Sequence, residues 1–332
     1  MAHGGATGWV AGVDAGGTKV AVLVADPDGR ACGTVTTATD LSSPTGTIAG
    51  IADAVRSALE LTGIPLSAVG AVGLGVPGRV HGGTGVVRHA VNLKWHELPA
   101  GPDLAARLGV PCFVENDVRV AALGLQRHPA YAHVDNLAYV NIGTGIAAGL
   151  ILGGRLYTGS HGMAGEIGHM IAEPGGPRCG CGTRGCLEAL AAGPAIARQG
   201  REAVATGAAT LLRTAVPLTA ARVYEAALGG DAPAGAIVDR VGATLARTVQ
   251  QLVMTYDVEC IVFGGGVARA GAAFLQPILR AITRLGHDSA LVRELVRPEM
   301  IHLLPPDYDP GTWGAVTLAQ AHLPAAMLPM KG

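Results

Sequence analysis

The sequence has little of what marks proteins that bind nucleic acids or membranes. Its formal net charge is only −1, charged residues make up 15% of the chain, and the only lysines are Lys19, Lys94 and Lys331. Such a chain has no overall field that would attract nucleic acid or an acidic membrane, and no local basic patch stands out. We therefore expect small-molecule partners and neither nucleic acid nor membrane.

Long apolar runs are also missing. The stretch from Leu137 to Leu152 is interrupted by Asn141 and by glycines, and it is too short to span a bilayer. Residues 1–7 lack the charged start and apolar centre of a secretion signal. We therefore expect a soluble, cytoplasmic protein, in which closely spaced cysteines favour metal binding over a disulfide.

The common nucleotide-binding motifs are missing or out of context. No segment matches the P-loop pattern G-x-x-x-x-G-K-[ST]. The segment Gly73–Gly78 fits the G-x-G-x-x-G pattern of dinucleotide-binding proteins, but it runs into a glycine-rich loop instead of a helix. A dehydrogenase of the Rossmann type is disfavoured.

The 332 residues, 49% of them hydrophobic, are enough for two domains with their own cores. Short apolar runs next to glycine turns alternate with helix-spaced segments, including a helix predicted over Glu188–Gln199, which favours an α/β fold. We predict a smaller domain over residues 8–124 with 312–328, and a larger domain over residues 125–311 that carries a metal site.

The two halves of the chain contain a repeat. Val13–Leu23 aligns without gaps on Val140–Leu150, and each segment reads as strand, polar residue, Gly/Thr turn and strand. This pattern predicts two similar domains, each directing one tight turn toward a shared cleft, where ligands of α/β proteins usually bind.

The repeated turns are suited to hold phosphate groups. Their glycines let backbone N–H groups approach a phosphate closely, and their threonine hydroxyls add donors. Asp14, at the end of the first strand, is placed to hold Mg²⁺ through water. Two ordinary glycine hairpins would look similar, but their pairing favours the phosphate interpretation. The candidate residues are Asp14, Gly16, Gly17, Thr18, Lys19, Gly143, Thr144 and Gly145.

A cluster of metal-ligand residues lies in the second half. His169, Cys179, Cys181 and Cys186 fall within 18 residues, and three thiolates with one imidazole make the closed set typical of structural zinc. Reduced thiols without a metal would be exposed and oxidisable, so this alternative is disfavoured. The sequence predicts one structural Zn²⁺.

The segment Glu115–Asp117 lies where a predicted strand meets a predicted helix. An aspartate there is an ordinary helix cap. Beside phosphate-binding turns it is also a candidate base, because transfer to a hydroxyl needs a proton acceptor near the attacking oxygen.

Together these segments resemble the ROK family of sugar kinases and sugar-responsive repressors, which belongs to the actin-like ATPase-domain superfamily. The resemblance covers nearly the whole chain, and its most specific part is the pairing of a signature segment with a zinc motif. It implies an α/β fold of two actin-like ATPase (ribonuclease H-like) domains around a central cleft. The matching segments are Asp14–Lys19, Glu115–Asp117, Ile142–Ile146, Gly162–His169 and Cys179–Glu188.

The resemblance also implies roles for individual residues. Asp117 would be the general base for the sugar 6-hydroxyl, and His169 would turn one ring nitrogen to zinc and the other to the sugar. Gly264, Gly265 and Gly266 would lie near the adenosine of ATP, which acts with Mg²⁺. A homodimer or homotetramer is implied as well. The implied sugar-binding residues are Asn92, Asn116, Asp117, Glu166, His169 and Glu188.

Two kinds of alternative remain open: a sugar-sensing regulator in place of an enzyme, and a kinase that acts on another sugar. A sugar-sensing repressor would carry an N-terminal helix-turn-helix, for which the predicted first strand at Trp9 leaves no room, so a repressor is disfavoured. The alternative of a different class is a sugar-sensing regulator of this family that lacks a DNA-binding domain. The acceptor is expected to be glucose, because Glu166, His169 and Glu188 form the set common in glucokinases. N-acylmannosamine, N-acetylglucosamine, fructose or an amino sugar stays open, as does polyphosphate as donor.

Two departures from the family pattern bear on these expectations. Ala147-Ala148 stands where glycines are frequent, and Lys94 stands where glycine is common. The added side chains would alter the approach to phosphate and the rim of the sugar site.

Overall fold

The computed structural model describes residues 8–81 and 83–323, which form two compact units. The first unit contains residues 8–81, 83–133, 156–164 and 309–323, and the second contains residues 134–155 and 165–308. The division predicted from the sequence stays a prediction, and its residues 324–328 lie outside the described part. The structure assigns the short segment 156–164 to the first unit, whereas the sequence-based division has it in the larger domain.

A five-stranded sheet in the order β3-β2-β1-β4-β8 organises the first unit. The first three strands are antiparallel, and β4 and β8 run parallel to β1. A small sheet, β5-β6-β7, follows β4. The elements are β1 (Trp9–Ala15), β2 (Lys19–Ala25), β3 (Ala31–Ala38), α1 (Pro44–Thr62), β4 (Val69–Val76), β5 (Arg79–His81), β6 (Val86–Ala90), β7 (Trp95–Leu98), α2 (Ala100–Leu108), β8 (Cys112–Asn116) and α3 (Asp117–Leu125).

Helix α1 covers one face of this sheet. The Ser43 hydroxyl caps its first turn by accepting the Gly46 N–H at 2.9 Å, and Gly63 ends it in the left-handed conformation. Its helix-spaced apolar residues are fully buried, and each such burial contributes about 1.5–3 kcal/mol. They are Ile48, Ile51, Val55 and Leu59.

The last helix of the described chain, α10 (Pro310–Gln320), covers the opposite face. Because strand residues alternate between faces, Val10, Gly12 and Asp14 of β1 share the side that α10 covers. A Cβ at Gly12 would lie 2.4 Å from the Thr312 carbonyl oxygen, so glycine allows the helix backbone to sit directly on the strand. Asp14 therefore ends β1 next to the start of α10.

The second unit repeats this sheet in the order β11-β10-β9-β12-β13. Strand β9 is antiparallel to β10 and parallel to β12, which is parallel to β13. The long helix α7 packs on α6 and α8 and supplies much of the core. The elements are β9 (Leu137–Ile142), β10 (Ile146–Leu152), β11 (Arg155–Tyr157), α4 (Glu188–Ala191), α5 (Gly193–Ala205), α6 (Ala220–Leu228), α7 (Ala232–Tyr256), β12 (Cys260–Gly264), α8 (Ala272–Asp288), α9 (Ala290–Leu295) and β13 (Ile301–Leu303).

The predicted repeat is confirmed in its strands and in the place of its turns, because β1-β2 and β9-β10 are equivalent hairpins at the centre of equivalent sheets. Their strand pairing differs from the ungapped alignment. Ala15 pairs with Val20 across a four-residue turn, whereas Ile142 pairs with Ile146 across a three-residue turn. The second turn is therefore one residue shorter.

The single helix predicted over Glu188–Gln199 is wrong, since the segment forms α4 and α5 with a break between them. Ala192 is extended, and the Gly193 N–H donates to Gly143 outside the helix. Pro194 has no N–H to continue an earlier helix. The break thus ties α5 to the second turn.

None of the described helices combines the length and the apolar character needed to cross a bilayer.

Candidate active site

The first turn lies between β1 and β2 and is closed by the Gly16 N–H, which donates to the Lys19 carbonyl at 2.9 Å. Thr39, just after β3, supports it from the side. The Thr39 hydroxyl donates to the Gly16 carbonyl at 2.7 Å, and its backbone N–H donates to the Thr18 carbonyl at 3.1 Å. The Thr18 and Lys19 side chains are exposed and available to a ligand. Sequence reasoning missed Thr39, which carries no motif of its own.

The predicted sugar ligand Asn92 lies against this turn. A Cβ at Gly17 would come within 2.9 Å of the Asn92 carbonyl oxygen, so only glycine permits this approach. Asn92 is exposed, and Lys94 after it adopts a left-handed φ of 57°. That conformation favours glycine, so the backbone at this position suits the glycine that the family pattern has, and Lys94 adopts it as a non-glycine residue.

Asp14 belongs to a group of carboxylates in the first unit. Burial, with the charges of Asp117 and Asp309, raises the pKa of the Asp14 carboxyl to about 7, and Lys19 opposes the shift. Gly311 makes room for Asp14, because a Cβ there would lie 2.8 Å from the carboxylate carbon. Asp309 and Gly311 were not predicted, although Asp309-Pro310-Gly311 reads as an ordinary helix start.

The junction between β8 and α3 holds Asp117 on a rigid support. The Asn116 Oδ1 accepts the N–H groups of Val118 at 3.0 Å and Arg119 at 3.2 Å, which makes Asn116 the N-cap of α3. Its Nδ2 donates to the Gly78 carbonyl at 3.0 Å. The cap is therefore Asn116 and not Asp117, whose half-buried side chain begins the helix.

The second turn lies between β9 and β10 and has different supports. The Gly143 N–H donates to Gly145 at 3.0 Å, and the Gly143 carbonyl accepts the Gly193 N–H at 2.8 Å. The Glu188 Oε2 accepts the Ile146 N–H at 3.1 Å. A Cβ at Gly145 would lie 2.6 Å from the same carboxylate oxygen. Glu188, predicted as a sugar ligand, thus touches the phosphate turn directly.

The glycine segment that begins with the last residue of β12, Gly264–Gly266, lies beside this turn. Gly264 pairs with Asn141, and Gly265 has a φ of 86°. A Cβ at Gly265 would lie 2.5 Å from the Ile142 carbonyl oxygen and 2.7 Å from the Asn141 Oδ1. The predicted adenosine segment and the second phosphate turn are therefore neighbours, with Asn141 at the position equivalent to Asp14.

The departure Ala147-Ala148 lies in β10 beyond the turn. The Ala148 N–H donates to the Gly165 carbonyl at 2.7 Å, and a Cβ at Gly165 would collide with the Ala148 carbonyl oxygen. These alanines belong to the strand that supports the Gly165–His169 segment, and the turn of residues 143–145 keeps its two glycines.

The four predicted metal ligands come together. One donor atom from each lies within 4.8 Å of all the others, with 3.8 Å between the Cys179 Sγ and the His169 Nδ1 and 3.6 Å between the Cys181 and Cys186 Sγ atoms. Tetrahedral zinc with sulfur ligands requires a sulfur–sulfur separation of about 3.8 Å. The donor set and its spacing therefore fit a zinc ion.

The thiols of this cluster differ in their environment. Hydrogen bonding from the Thr183 backbone lowers the pKa of the Cys181 thiol to about 6. Desolvation raises the pKa of the buried Cys186 thiol to about 12, and the neighbouring thiols add to that shift. A thiolate is thus favoured at Cys181, and Cys186 would need a nearby cation to be charged.

The metal cluster holds the two ends of the predicted sugar segment together. Glu166 precedes a single 3₁₀ turn, Ile167–His169, whose last residue is a cluster ligand. The Leu187 N–H then donates to the Met170 carbonyl at 2.9 Å, which brings the residue before Glu188 next to the end of that turn. Glu166 and Glu188, 22 residues apart, are joined by one folded loop.

The predicted residues thus fall into two sets, one within each unit. The first unit brings together Asp14, Gly16, Gly17, Thr18, Lys19, Asn92, Asn116 and Asp117. The second unit contains Gly143, Thr144, Gly145, Glu166, His169, Cys179, Cys181, Cys186, Glu188, Gly264, Gly265 and Gly266.

Known proteins with similar sequences include glucokinases and N-acetylmannosamine kinases. The chain is 35% identical over 273 residues to a glucokinase of Thermotoga maritima, covering 80% of this chain and 84% of that protein. It is 31% identical over 270 residues to an N-acetylmannosamine kinase of Yersinia pestis, covering 81% and 86%.

The same relationship appears in three dimensions. A crystal structure of a ROK family glucokinase from Streptomyces griseus, in complex with glucose and AMPPNP, matches with a TM-score of 0.73 and 32% identity, over 95% of this chain and all of that one (100%). The chain therefore has the two-domain actin-like ATPase fold predicted from the sequence. Residues 10–322 match the ROK family, and the chain belongs to that family.

Proposed function

We propose that this protein is a hexose kinase that transfers the γ-phosphoryl group of ATP to the 6-hydroxyl of glucose. The observation that carries the proposal lies in the first unit. There the Asp117 carboxylate is near enough to Asp14, beside the phosphate turn, to help raise the Asp14 pKa. A proton acceptor and a phosphate cradle on one rigid support are what phosphoryl transfer to a hydroxyl requires. The similarity to glucokinases at 35% identity supports the same reaction.

Asp117 acts as the general base. It accepts the proton of the sugar 6-hydroxyl while that oxygen forms a bond to the γ-phosphorus, and the bond from the γ-phosphorus to the bridging oxygen breaks to release ADP. The Asn116 cap and the packing of α3 keep the carboxylate in place. A base held on a helix start loses little freedom at the moment of reaction.

The nucleotide binds with Mg²⁺, which neutralises the phosphate charge. Asp14 is the residue that would hold the hydrated ion. Its raised pKa reflects burial together with repulsion from Asp117 and Asp309, and a cation at this place would relieve that repulsion. Backbone N–H groups of the two glycine turns would contact the phosphates, with Thr18, Lys19 and Thr144 adding side-chain donors.

The sugar hydroxyls are bound by carboxylate, amide and imidazole groups, each of which can serve neighbouring hydroxyls. The Asn116 Oδ1 is already used by the helix cap, so only its remaining Nδ2 hydrogen is available to the sugar. The His169 Nδ1 faces Cys179, which leaves Nε2 for the sugar. The proposed sugar ligands are Asn92, Asn116, Asp117, Glu166, His169 and Glu188.

Zinc is the metal proposed for the cluster of His169 and the three cysteines. It would have no open coordination position and would therefore do no chemistry. Its role would be to orient His169 and to hold the loop that joins Glu166 to Glu188. We expect near-stoichiometric zinc by elemental analysis, and we expect Cys181→Ser to lose both the metal and sugar affinity. A metal-free protein with full activity would contradict this assignment.

The decisive experiment is a coupled assay for ADP over hexoses, amino sugars and N-acyl sugars, with Asp117→Asn as the paired variant. We expect glucose to give the highest kcat/KM. The nearly isosteric Asp117→Asn variant should lose turnover, by about 10³-fold or more, while it still binds glucose in calorimetry. Retained turnover in Asp117→Asn would reject the base assignment, and turnover of no sugar would revive a sugar-sensing role. Polyphosphate should be tested beside ATP as the donor.

N-acetylmannosamine is the second candidate acceptor, because the Yersinia pestis kinase is nearly as similar as the glucokinases. The same panel separates the two, since the ratio of the kcat/KM values measures the preference directly. We also propose a cytoplasmic enzyme of carbohydrate metabolism and glycolysis, assembled as a homodimer or homotetramer. Light scattering on the purified protein measures that assembly.

A further inference from the structure

Arg119 and Glu115 form a buried ion pair on either side of the proposed base. Arg119, on the first turn of α3, is 3% exposed, and Glu115, at the end of β8, is 8% exposed. The Arg119 Nη1 and the Glu115 Oε1 are 2.9 Å apart. Burying two charges requires desolvation that their attraction often fails to offset, and apolar residues of similar volume would stabilise the fold as well or better. Stability alone therefore does not account for the pair.

The pair belongs to a network that surrounds Asp117. The Glu115 Oε1 also accepts the Asn116 N–H at 2.7 Å, on the residue just before the base. The Arg119 Nη2 donates to the Gly162 carbonyl oxygen. The Glu115 carboxylate thus accepts a hydrogen bond from the backbone just before Asp117. Its partner Arg119, two residues after Asp117, donates a hydrogen bond to the segment 156–164 of the same unit.

The hydrogen bond from Arg119 to Gly162 matters because of the conformation and the position of Gly162. Gly162 has a left-handed φ of 64°, and a Cβ there would lie 3.3 Å from the Val80 carbonyl oxygen, so glycine suits this position better than any other residue. The chain continues from Gly162 to Glu166, a proposed sugar ligand, within four residues. Arg119 therefore connects the segment of the proposed base with the segment 156–164 of the same unit, which precedes Glu166 in the sequence.

We propose that Arg119 is a positioning residue for the transfer step. It fixes the Asp117 segment through Glu115 and, through Gly162, holds the end of the segment 156–164, from which the chain continues to Glu166. The guanidinium group suits this task because its planar fork donates in two set directions, whereas the lysine ammonium is a single point charge. The inference rests on the proposed function, since it assumes that Asp117 and Glu166 act on the sugar.

The role predicts which kinetic constants depend on Arg119. The hydrogen bonds of Arg119 and Glu115 described above go to Asn116 and Gly162 and to each other, and none of them reaches the phosphate turn of residues 16–19. Loss of Arg119 should therefore lower kcat and raise the KM for the sugar, while the KM for ATP changes little. A purely structural role would instead lower the amount of folded enzyme and leave both KM values unchanged.

The test uses three variants of the full chain. Arg119→Met leaves Glu115 buried without a partner, and we expect it to lower the Tm and kcat together. In Glu115→Gln/Arg119→Met no charge is buried, and the new side-chain amide oxygen at position 115 can still accept the Asn116 N–H. We expect this double variant to regain the wild-type Tm, while its kcat/KM for the sugar stays about 30-fold lower or more. Arg119→Lys keeps the charge, and we expect about a tenfold loss of kcat/KM with little change in Tm.

Arg222→Met is the matched control, because Arg222 forms an exposed ion pair with Glu225 on α6. It should change no kinetic constant. The proposal is overturned if the double variant recovers kcat and the sugar KM together with its Tm. Failure of the proposed function gives a different result: Asp117→Asn would keep its turnover, or the wild type would phosphorylate no sugar of the panel.

Discussion

The two glycine turns occupy equivalent places in equivalent sheets, yet they are supported by different chemistry. The first turn has four residues and is held by the neutral hydroxyl and backbone N–H of Thr39. The second turn has three residues and is held by the Glu188 carboxylate and by the Gly193 N–H at the start of α5. The sheet topology thus sets the position of each turn, and residues later in the chain determine which groups hydrogen-bond to it.

Because the two turns have different supports, we expect the two units to have different tasks. The first turn lies near a group of carboxylates that suits a metal-bound phosphate and a proton acceptor. The second turn is bonded to Glu188, two residues after the cluster ligand Cys186. Changes in the metal cluster should therefore alter the second turn, because Cys186 is two residues from Glu188, which accepts a hydrogen bond from that turn. They should leave the first turn unchanged. Four predictions test this comparison.

The largest effect is expected at Asp14, which occupies the position equivalent to Asn141 in the second unit. Asp14→Asn should lower kcat by about 10³-fold, because the proposed magnesium ligand is lost. It should also stabilise the protein in the absence of Mg²⁺. The folded-state pKa of Asp14 is raised from 3.8 to about 7, so ionisation of Asp14 reduces the stability of the wild type as the pH rises from 3.8 through 7.

Thermal unfolding without Mg²⁺ at pH 4 and pH 8 checks the sign of this effect. The variant should gain about 1 kcal/mol at pH 8, after allowance for partial exposure of the side chain, and little at pH 4. Asp53→Asn is the control, since Asp53 is exposed on α1. Equal gains at the two pH values would contradict a raised Asp14 pKa caused by burial and by repulsion from Asp117 and Asp309.

In the second turn, substitution of Gly145 should lower activity and substitution of Gly143 should be tolerated. A Cβ at Gly145 would lie 2.6 Å from the Glu188 carboxylate, whereas a Cβ at Gly143 would meet nothing closer than 3.9 Å. Gly145→Ala should therefore displace Glu188 and lower kcat/KM by about 10²-fold, and Gly143→Ala should lower it less than about fivefold. Steady-state kinetics decides the matter, and similar losses in both variants would show that the Glu188 contact is unimportant.

Removal of the metal should loosen the second turn selectively. After chelation, hydrogen exchange should accelerate by about tenfold or more at the Ile146 and Gly193 amides. The Ile146 N–H donates to Glu188 in the segment that follows Cys186, and Gly193 of the same segment donates its N–H to the Gly143 carbonyl. The Gly16 and Thr39 amides of the first turn are the internal control and should keep their rates. Equal acceleration at both turns would indicate global destabilisation instead of a local path.

The smallest effect is expected at Thr39. Thr39→Val removes the hydroxyl that donates to Gly16 but keeps the backbone N–H that donates to Thr18, so it should cost about 1 kcal/mol of local stability. The KM for ATP should rise by about threefold to tenfold, and Thr39→Ser should stay close to the wild type. An unchanged KM in Thr39→Val would mean that the sheet alone holds the first turn.

Much of the site was predictable because its residues lie in short local patterns. The strand–turn–strand repeat and the clustering of His169 with three cysteines depend on neighbours in the sequence, and both are found in the structure. The membership in the ROK family, inferred from these segments, is confirmed by the match over residues 10–322. Local patterns also indicated a strand-to-helix junction at Glu115–Asp117, with an Asp117 cap as the ordinary alternative to a catalytic role, whereas the structure has Asn116 as the cap.

The remaining features depend on contacts between residues far apart in the sequence. Thr39 reaches the first turn from 23 residues away, and Arg119 reaches Gly162 from 43 residues away. No periodicity encodes such contacts, because each one arises only when separate elements pack together.

The sequence by itself determined the two glycine turns, the cluster of one histidine and three cysteines, and the family, since glycine, cysteine and histidine at these spacings restrict the backbone and the chemistry locally. Only the tertiary structure decided that the second turn is one residue shorter, that Glu188 bonds to it, and that Asp309 joins Asp14 and Asp117. The physical reason is that hydrogen-bond directions and charge repulsion depend on distances of a few ångströms, which packing sets and sequence separation does not.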